Sequence, residues 1–521
     1  MSLQLVAEKV TPLQVLLLVS SLTLSYVISV VIYRLYFHPL AKYPGPFWAR
    51  ISAFPAYYHT QKKDRHIWFW QLQEQYGPSF RITPNSVLVN TPTGLKTIFN
   101  NKANVKKAEY YKAYPRNVHA MTTWNTIDKN VHARKRRVMN NAFSDKALRS
   151  CEPFIHDNVD RWCDLIIKEI GEGEKWSRSL NMARWADHLI FDILGDLCFG
   201  KSFGLKEPGS ELRYVPGLMT DFLEILHPIA YSPFTALWVW LKPRGLNQLL
   251  AAAAPPALKN WQTFVEKDFF HYLFKAVDPE TGKGYSQDEL FGESESLIIA
   301  GSDTTAISTA AAFFYLSRNP EVQQKLADEI TSTFSSLDEI KSGPTLHSCK
   351  YLRAFIEENL RMSPPVPADL SREVEKGGIV VDGKYIPEGI KVSTVSYCMH
   401  HNPEYFPEPF KFKPERWIVD EDDTTGASAE SVALVQSAYM PFSAGPRGCI
   451  GKNLAYLEMN LVLAKVIYNF EIRRDPTSNL GGGNPEAVEG RRTVDQYQLG
   501  DIFVGIRDGP MVQLAKRTRK A

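Results

Sequence analysis

Hydrophobic positions divide this chain into three kinds of segment. From Leu13 to Tyr33 the sequence carries no charged residue, and as a helix that run is about 30 Å long, the thickness of a bilayer core. In Phe80-Arg-Ile-Thr and Ser86-Val-Leu-Val-Asn90 apolar positions alternate with period two, which predicts short strands of a small sheet. Between about residues 150 and 280 the period is helical, as in Trp185, Leu189, Ile193 and Leu197. A longer helix is predicted from Ser286-Gln-Asp-Glu289, which has capping-box spacing, to Asn319-Pro320. It holds roughly 32 residues and reaches about 48 Å, enough to cross a whole domain. The pattern as a whole predicts a mainly α fold with a small β portion (α+β) behind one N-terminal transmembrane helix.

The flanks of the apolar run orient it. Arg34, Lys42 and Arg50 follow it, whereas Lys9 precedes it beside Glu8, so the positive-inside tendency places the bulk of the chain in the cytoplasm. The run is long for a leader and no small-x-small cleavage site follows, which favours a retained endoplasmic-reticulum anchor. Tyr43-Pro-Gly-Pro46 then breaks any helix, because neither proline can continue one. The expected organisation is a short lumenal N-terminus at 1–12, an anchor at 13–33, a proline-rich hinge at 34–49 and one catalytic domain at 50–521.

Composition narrows the function classes. The 521 residues are 44% hydrophobic and 22% charged, which suits a globular protein with a core large enough to enclose a cofactor. A net charge of +3 with 12% aromatic residues argues for apolar cavities and against nucleic-acid binding. There is no CxxC pair, so zinc ribbons and iron–sulfur clusters lack a ligand set. Cys151, Cys163, Cys198, Cys349 and Cys398 are scattered singly and read as free thiols in a reducing compartment.

The sixth cysteine differs. Cys449 lies in Phe442-Ser-Ala-Gly-Pro-Arg-Gly-Cys-Ile-Gly451, ahead of an apolar helical run through Leu454, Leu457, Leu461 and Ala464. A metal-binding thiolate needs its charge stabilised without a proton, and N–H groups at a helix N-terminus do that. The glycines, Gly451 among them, let the backbone turn and approach a flat ligand, and Arg447 can pair with a carboxylate. Taken alone, the loop is equally compatible with a structural thiol in a glycine-rich turn.

A second unusual stretch lies inside the long predicted helix. Ala300-Gly301-Ser302-Asp303-Thr304-Thr305 puts a glycine and hydrogen-bonding side chains between the apolar runs Leu297-Ile-Ile and Ala310-Ala-Ala-Phe-Phe. Glycine there costs about 1 kcal/mol relative to alanine, and a helix weakened at its middle points to a functional reason. Small residues admit a ligand to the backbone, while Thr304 and Asp303 can loosen the helical ladder and relay protons.

The pattern Phe-x-x-Gly-x-Arg-x-Cys-x-Gly is intact, and with it the chain resembles the haem-thiolate monooxygenases, the cytochrome P450 family. Residues 300–305 match that family's oxygen-binding motif, and the run from Tyr33 to Pro46 is similar to filamentous-fungal microsomal members. The resemblance spans residues 33 to about 515. It implies haem b with Cys449 as axial iron ligand, Phe442, Gly451 and Gly301 against the cofactor, and Asp303 with Thr304 guiding protons to bound O2. It further implies propionate contacts by Arg447, Arg136 and Arg372; His132 stands where the family usually has tryptophan. Glu358, Arg361 and the Arg416 of Pro414-Glu-Arg-Trp417 correspond to a buried structural network. Candidate pocket residues are Tyr110, Phe222, Ile299, Ala300, Val366 and Pro367. With no flavin domain in the sequence, electrons from NADPH are expected through a separate cytochrome P450 reductase, with cytochrome b5 as a further donor. The basic residues Arg134, Lys135 and Arg137 are expected to form a docking patch for such a donor. The apolar stretch from Phe222 to Trp240 reads ordinarily as core, and next to the N-terminal helix also as a surface that rests on the membrane. The implied activity is oxidation of a lipophilic small molecule, in fungal secondary metabolism. Two rivals remain: a haem-thiolate enzyme of rearrangement or oxidative coupling, and a membrane-tethered haem sensor.

Overall fold

The fold is organised on one long helix. The computed structural model describes residues 11–115, 119–253, 277, 278, 280–420 and 427–518, and its longest buried helix runs Gln287–Arg318 (here α10) over 32 residues. Ser286 caps it as the sequence predicts: its hydroxyl accepts from Glu289 N–H and the Glu289 carboxylate accepts from Ser286 N–H. Its central turn, Ile299–Asp303, is π-helical, so the ladder does loosen where glycine and hydrogen-bonding side chains interrupt the apolar pattern. Beyond the turn Ala306, Ile307 and every residue from Ala310 to Leu316 are fully buried. Asn319-Pro320 ends the helix, with Pro320 opening the next one.

Earlier in the chain lie α1 (Pro12–Ile32), α2 (Phe47–Ile51), α3 (Phe54–Gln61), α4 (Arg65–Tyr76), α5 (Lys129–Ala142), α6 (Asp145–Lys168), α7 (Met182–Phe199), α8 (Val215–Tyr231) and α9 (Thr235–Leu241). After α10 the main helices are α11 (Pro320–Thr333), α12 (Lys350–Met362) and α13 (Lys452–Asn469). Helix α7 packs directly on α10. A Cβ at Gly301 would lie 3.1 Å from the side chain of Leu194, so the small residue serves this helix–helix contact.

The main sheet has the order β1-β2-β8-β5-β3, built from Ser79–Thr83, Ser86–Val89, Lys391–Ser393, Arg372–Val374 and Val105–Lys107. Strands β2 and β8 are parallel and the other pairs antiparallel. The remaining strands are β4 (Leu180–Asn181), β6 (Ile379–Val381), β7 (Lys384–Ile386), β9 (Phe470–Arg474), β10 (Gly500–Ile502), β11 (Val504–Ile506) and β12 (Met511–Lys516). Hairpin β10–β11 turns at Phe503, whose φ of 89° is unusual for a bulky side chain. Asp501 supports the turn by accepting from Phe503 N–H at 3.1 Å, and its other oxygen accepts from buried Arg65 at 3.0 Å. Gly505 N–H of the hairpin donates to the Pro365 carbonyl, which ties it to the segment holding Val366 and Pro367.

Helix α1 begins with a Thr11–Gln14 capping box and has no buried residue. The segment Pro12–Phe37 is long and apolar enough to cross a membrane; α10 passes the same test but is mostly enclosed by protein. Residues 1–10 of the expected lumenal N-terminus lie outside the described residues. Beyond α1 the chain is fastened to the body. Arg34 donates to the Ile51 carbonyl, Arg50 to the Leu35 carbonyl and Arg81 to the Arg34 carbonyl, and Leu40 and Tyr43 are buried in a core cluster.

Candidate active site

The Cys449 loop is shaped by two tight constraints. Gly445 has φ +66°, and a Cβ there would sit 1.7 Å from the Phe99 carbonyl oxygen, so no other residue fits. Cys449 N–H donates to the Phe442 carbonyl at 2.9 Å, closing the loop. Gly451 caps α13. Burial pushes the thiol above its ordinary value, while the N–H groups of Gly451 and Lys452 and the Arg136 guanidinium favour the thiolate. Cys449 is nevertheless accessible: protein surrounds it, yet its surface is open to a ligand. At and just after the π turn of α10, Ile299, Gly301 and Thr304 are partly accessible and Ala300 is exposed.

Five basic side chains converge beside this loop. Lys107 and Arg372 face one another across β3 and β5 as register partners. Lys107 is buried, donates to the Trp124 carbonyl and lies 4.2 Å from the Tyr111 ring centre. Arg372 donates to the Leu370 carbonyl at 2.7 Å. Arg447 donates to the carbonyls of Thr126 and Ile127 at 2.6 and 3.0 Å, and Arg136 to the carbonyl of Gly448 at 2.7 Å and to Asn140. These hydrogen bonds go to carbonyl oxygens, and among the described residues none of the four cations forms a salt bridge with a carboxylate, Asp128 lying near Arg447 as a minor influence, so the positive charges are largely uncompensated. The consequence shows in the titrations. Burial and then Arg372 and Arg447 push Lys107 well below its ordinary value. Burial and Arg372 bring Arg447 down to about 10. Burial, then Arg447, Lys107, Arg136 and Arg372, bring His132 down to about 3, so its imidazole is neutral.

A flat ligand with two carboxylates and a metal that takes a thiolate fits this arrangement. Carboxylates would convert mutual repulsion among the cations into charge-assisted bonds, and the metal would find Cys449. Among the described residues no cluster of three His, Cys, Asp or Glu side chains is arranged to hold a bare metal ion. The sequence profile described as Cytochrome P450 matches residues 43–481.

The chain belongs to the cytochrome P450 family. It is 36% identical over 511 residues to cytochrome P450 monooxygenase AKT7 of Alternaria alternata, covering 95% of this chain and 97% of that one. It is 38% identical over 508 residues to cytochrome P450 monooxygenase atnE of Emericella nidulans, covering 93% of each. The crystal structure of the cytochrome P450DA heme domain superposes with a TM-score of 0.65 at 17% identity, over 88% of this chain and 94% of that one. A cytochrome P450 crystal structure titled CYP102L1 gives 0.67 at 18%, over 87% and 94%. Family membership brings haem-thiolate iron and O2 with it.

Sequence-predicted residues meet different fates in this cytochrome P450. Glu358 accepts from Arg361 twice at 2.8 Å, from Arg416 at 3.1 Å, from Trp417 Nε1 at 2.9 Å and from Lys413 N–H at 2.9 Å. Burial pushes its carboxyl up, but Arg361 and Arg416 outweigh this and hold it below the usual range. Asp303 is buried and receives Arg507 Nη1 at 2.8 Å; Thr304 donates to the Ala300 carbonyl at 2.7 Å. Of the pocket candidates, Ala300 is exposed, Phe222, Ile299 and Val366 are half-buried, and Pro367 is buried. Tyr110 is buried, stacked on Tyr111 at 4.3 Å and in tilted contact with Tyr231 at 4.5 Å.

The expected docking patch is a correction. Lys135 is buried and paired with Glu289 and Glu293, Arg134 with Glu289, and Arg137 with Asp278 and Glu280. These side chains join α5 to the start of α10 and its approach, so the basic run is engaged in ion pairs within the chain, Lys135 buried and Arg134 and Arg137 partly exposed. Lys107, Asp187, Arg507 and Phe503 were not singled out by sequence. Only period-two alternation, which sends Lys106 and Lys107 to opposite faces of a strand, bore on Lys107; the partners of the other three are set by tertiary structure.

Proposed function

We propose that this chain is a membrane-anchored, O2-dependent monooxygenase that oxidises a lipophilic small molecule, in a biosynthetic setting like that of its fungal relatives. The observation that carries the reading is the accessible Cys449 thiol lying beside a set of largely uncompensated cations. Haem held by a cysteine thiolate supplies oxygen-activating chemistry. The chain's own contributions follow from the geometry. Cys449 binds as thiolate, with Gly451 and Lys452 N–H groups stabilising its charge. Lys107, Arg136, Arg372 and Arg447 hold the carboxylates, and neutral His132 is available as a hydrogen-bond donor. Thr304 and Asp303 hold and move protons at the π turn. Tyr110, Tyr114, Trp124, Tyr231 and Phe503, in mutual ring contact, exclude water and suit an apolar substrate. Electrons come from NADPH through a separate reductase. Helix α1 anchors the catalytic body on the cytoplasmic side of the endoplasmic reticulum.

The test is spectroscopic first. Microsomes bearing the protein should give the red-shifted band of the reduced carbon-monoxide complex, and Cys449→Ser should abolish it. A lipophilic compound that displaces the haem spectrum should then incorporate one atom of labelled O2, only with NADPH and reductase. A band surviving in Cys449→Ser, or turnover without NADPH, overturns the reading.

A further inference from the structure

Arg507, just beyond β11, lies between two acids from different helices. Its Nη1 donates to Asp303 Oδ1 of α10 at 2.8 Å and its Nη2 to Asp187 Oδ1 of α7. Its Nε is buried without a hydrogen-bond partner. One cation therefore serves two carboxylates, and the surplus negative charge favours a proton on one of them. Asp187 is the more exposed member of the pair. A fifth of its side chain is exposed, and it lines a cleft of about 750 Å³ together with Arg184, His188, Arg213, Tyr214 and Thr220.

We propose that Arg507 is a positioning residue for Asp303, and that Asp187, exchanging a proton with water in this cleft, sets how firmly Arg507 holds it. The inference rests on the proposed monooxygenase reading and deepens it. A guanidinium keeps its protons, so Arg507 acts by charge and position. A hydronium ion in the cleft gives its proton to an Asp187 oxygen, forming an O–H bond and leaving water; no electrons move. With Asp187 neutral, Arg507 belongs to Asp303 and holds it away from Thr304. With Asp187 ionised, the guanidinium is shared and Asp303 is freer to turn toward the adjoining Thr304. Burial raises Asp187, Arg507 lowers it and Asp303 raises it, with the balance at about 6. The other titratable or charged groups around the pair are Tyr497 and Asp508 from the C-terminal segments, His188 and Arg184 from α7, and Arg213.

Infrared titration of the resting holoenzyme tests the charge-sharing directly, without substrate. Wild type should show a protonated-carboxyl band that titrates near 6. Asp187→Asn should remove that band, and Arg507→Gln should move its midpoint upward. With NADPH and reductase, the peroxide released per NADPH should follow the same midpoint in wild type. That dependence should flatten in Asp187→Asn at the high peroxide level of wild type below the midpoint, whereas in Arg507→Gln the level should fall severalfold, and in Arg507→Lys it should return partly. Should Arg507→Gln not fold, Asp187→Asn alone decides. A wild-type band and wild-type peroxide profile in Asp187→Asn overturn the proposal; loss of the reduced carbon-monoxide band in wild type would instead overturn the monooxygenase reading.

Discussion

Lys107 and Arg372 stand directly opposite each other on antiparallel strands β3 and β5, two buried cations with no carboxylate between them. Like charges in register are destabilising, and only a bound anion turns the pair into an asset. Lys107→Met should therefore stabilise the apoprotein by on the order of 0.5–1 kcal/mol while hastening haem transfer to an apomyoglobin acceptor. Denaturation of the apoprotein and the transfer rate check the two signs separately. Transfer as slow as in wild type would remove Lys107 from the cofactor site.

Thr304 and Thr305 separate a reacting hydroxyl from a packed one. Thr304 is partly accessible and bonds to the Ala300 carbonyl inside the π turn; Thr305 is buried. Valine is near in shape but lacks the hydroxyl. Thr304→Val should keep the reduced carbon-monoxide spectrum and NADPH consumption, yet raise the peroxide released per NADPH severalfold. Thr305→Val should change that ratio less. Equal ratios in both variants and wild type would leave proton handling to Asp303 and water.

What the sequence made legible was local. The Cys449 loop, the capped 32-residue helix and its weakened centre are each written in consecutive residues, so spacing and glycine placement reveal them. The Glu358–Arg361 pair is helical spacing, and Arg416 came with its motif. What escaped were pairings made across hundreds of residues: Lys107 with Arg372, Arg507 with Asp187 and Asp303, Arg65 with Asp501. No periodicity encodes those partners. The basic run on α5 misled for the same reason, since its acids lie in a segment well over 100 residues away. Gly301 was read as making room for a ligand; its packing against the Leu194 side chain, a second reason for a small residue there, could not be read from the sequence.

Glu458 of α13 is a buried carboxyl, and burial pushes it from 4.5 to about 8 against a hydrogen bond from Thr305. The unfolded chain loses this proton near 4.5 while the folded chain keeps it, so stability is unaffected below 4.5 and falls as pH rises toward 8. The slope from this group is at most about 1.4 kcal/mol per pH unit. Glu458→Gln carries no such proton. Urea denaturation should find the variant gaining on wild type between pH 5 and pH 8, with little difference at the acid end. Parallel curves would show that Glu458 ionises freely in the folded protein.

The last prediction concerns how the body meets the membrane. Beside the anchor, α2 and α3 expose Phe47 (52%), Trp48 (68%) and Phe54 (55%), while α8, α9 and the link between them expose Ile225 (69%), Phe234 (64%), Leu237 (53%) and Trp240 (53%). Helices α3 and α8 pack together, as do α8 and α9, so these exposed side chains sit on neighbouring elements. Phe222 and Trp238, expected in the same surface, are half-buried and pack on the core. Fully burying a large apolar side chain contributes about 1.5–3 kcal/mol, so even partial insertion of several gives measurable affinity for neutral lipid. A truncation beginning at residue 38 should therefore still sediment with phosphatidylcholine vesicles. It should do so equally in high salt, because the attraction is apolar and screening does not touch it. Replacing Trp48, Phe234, Leu237 and Trp240 by serine in that truncation should release it, whereas the same four changes in the full chain should leave it bound through α1. A truncated wild-type protein that stays wholly in the supernatant would show that α1 alone holds the protein to the membrane.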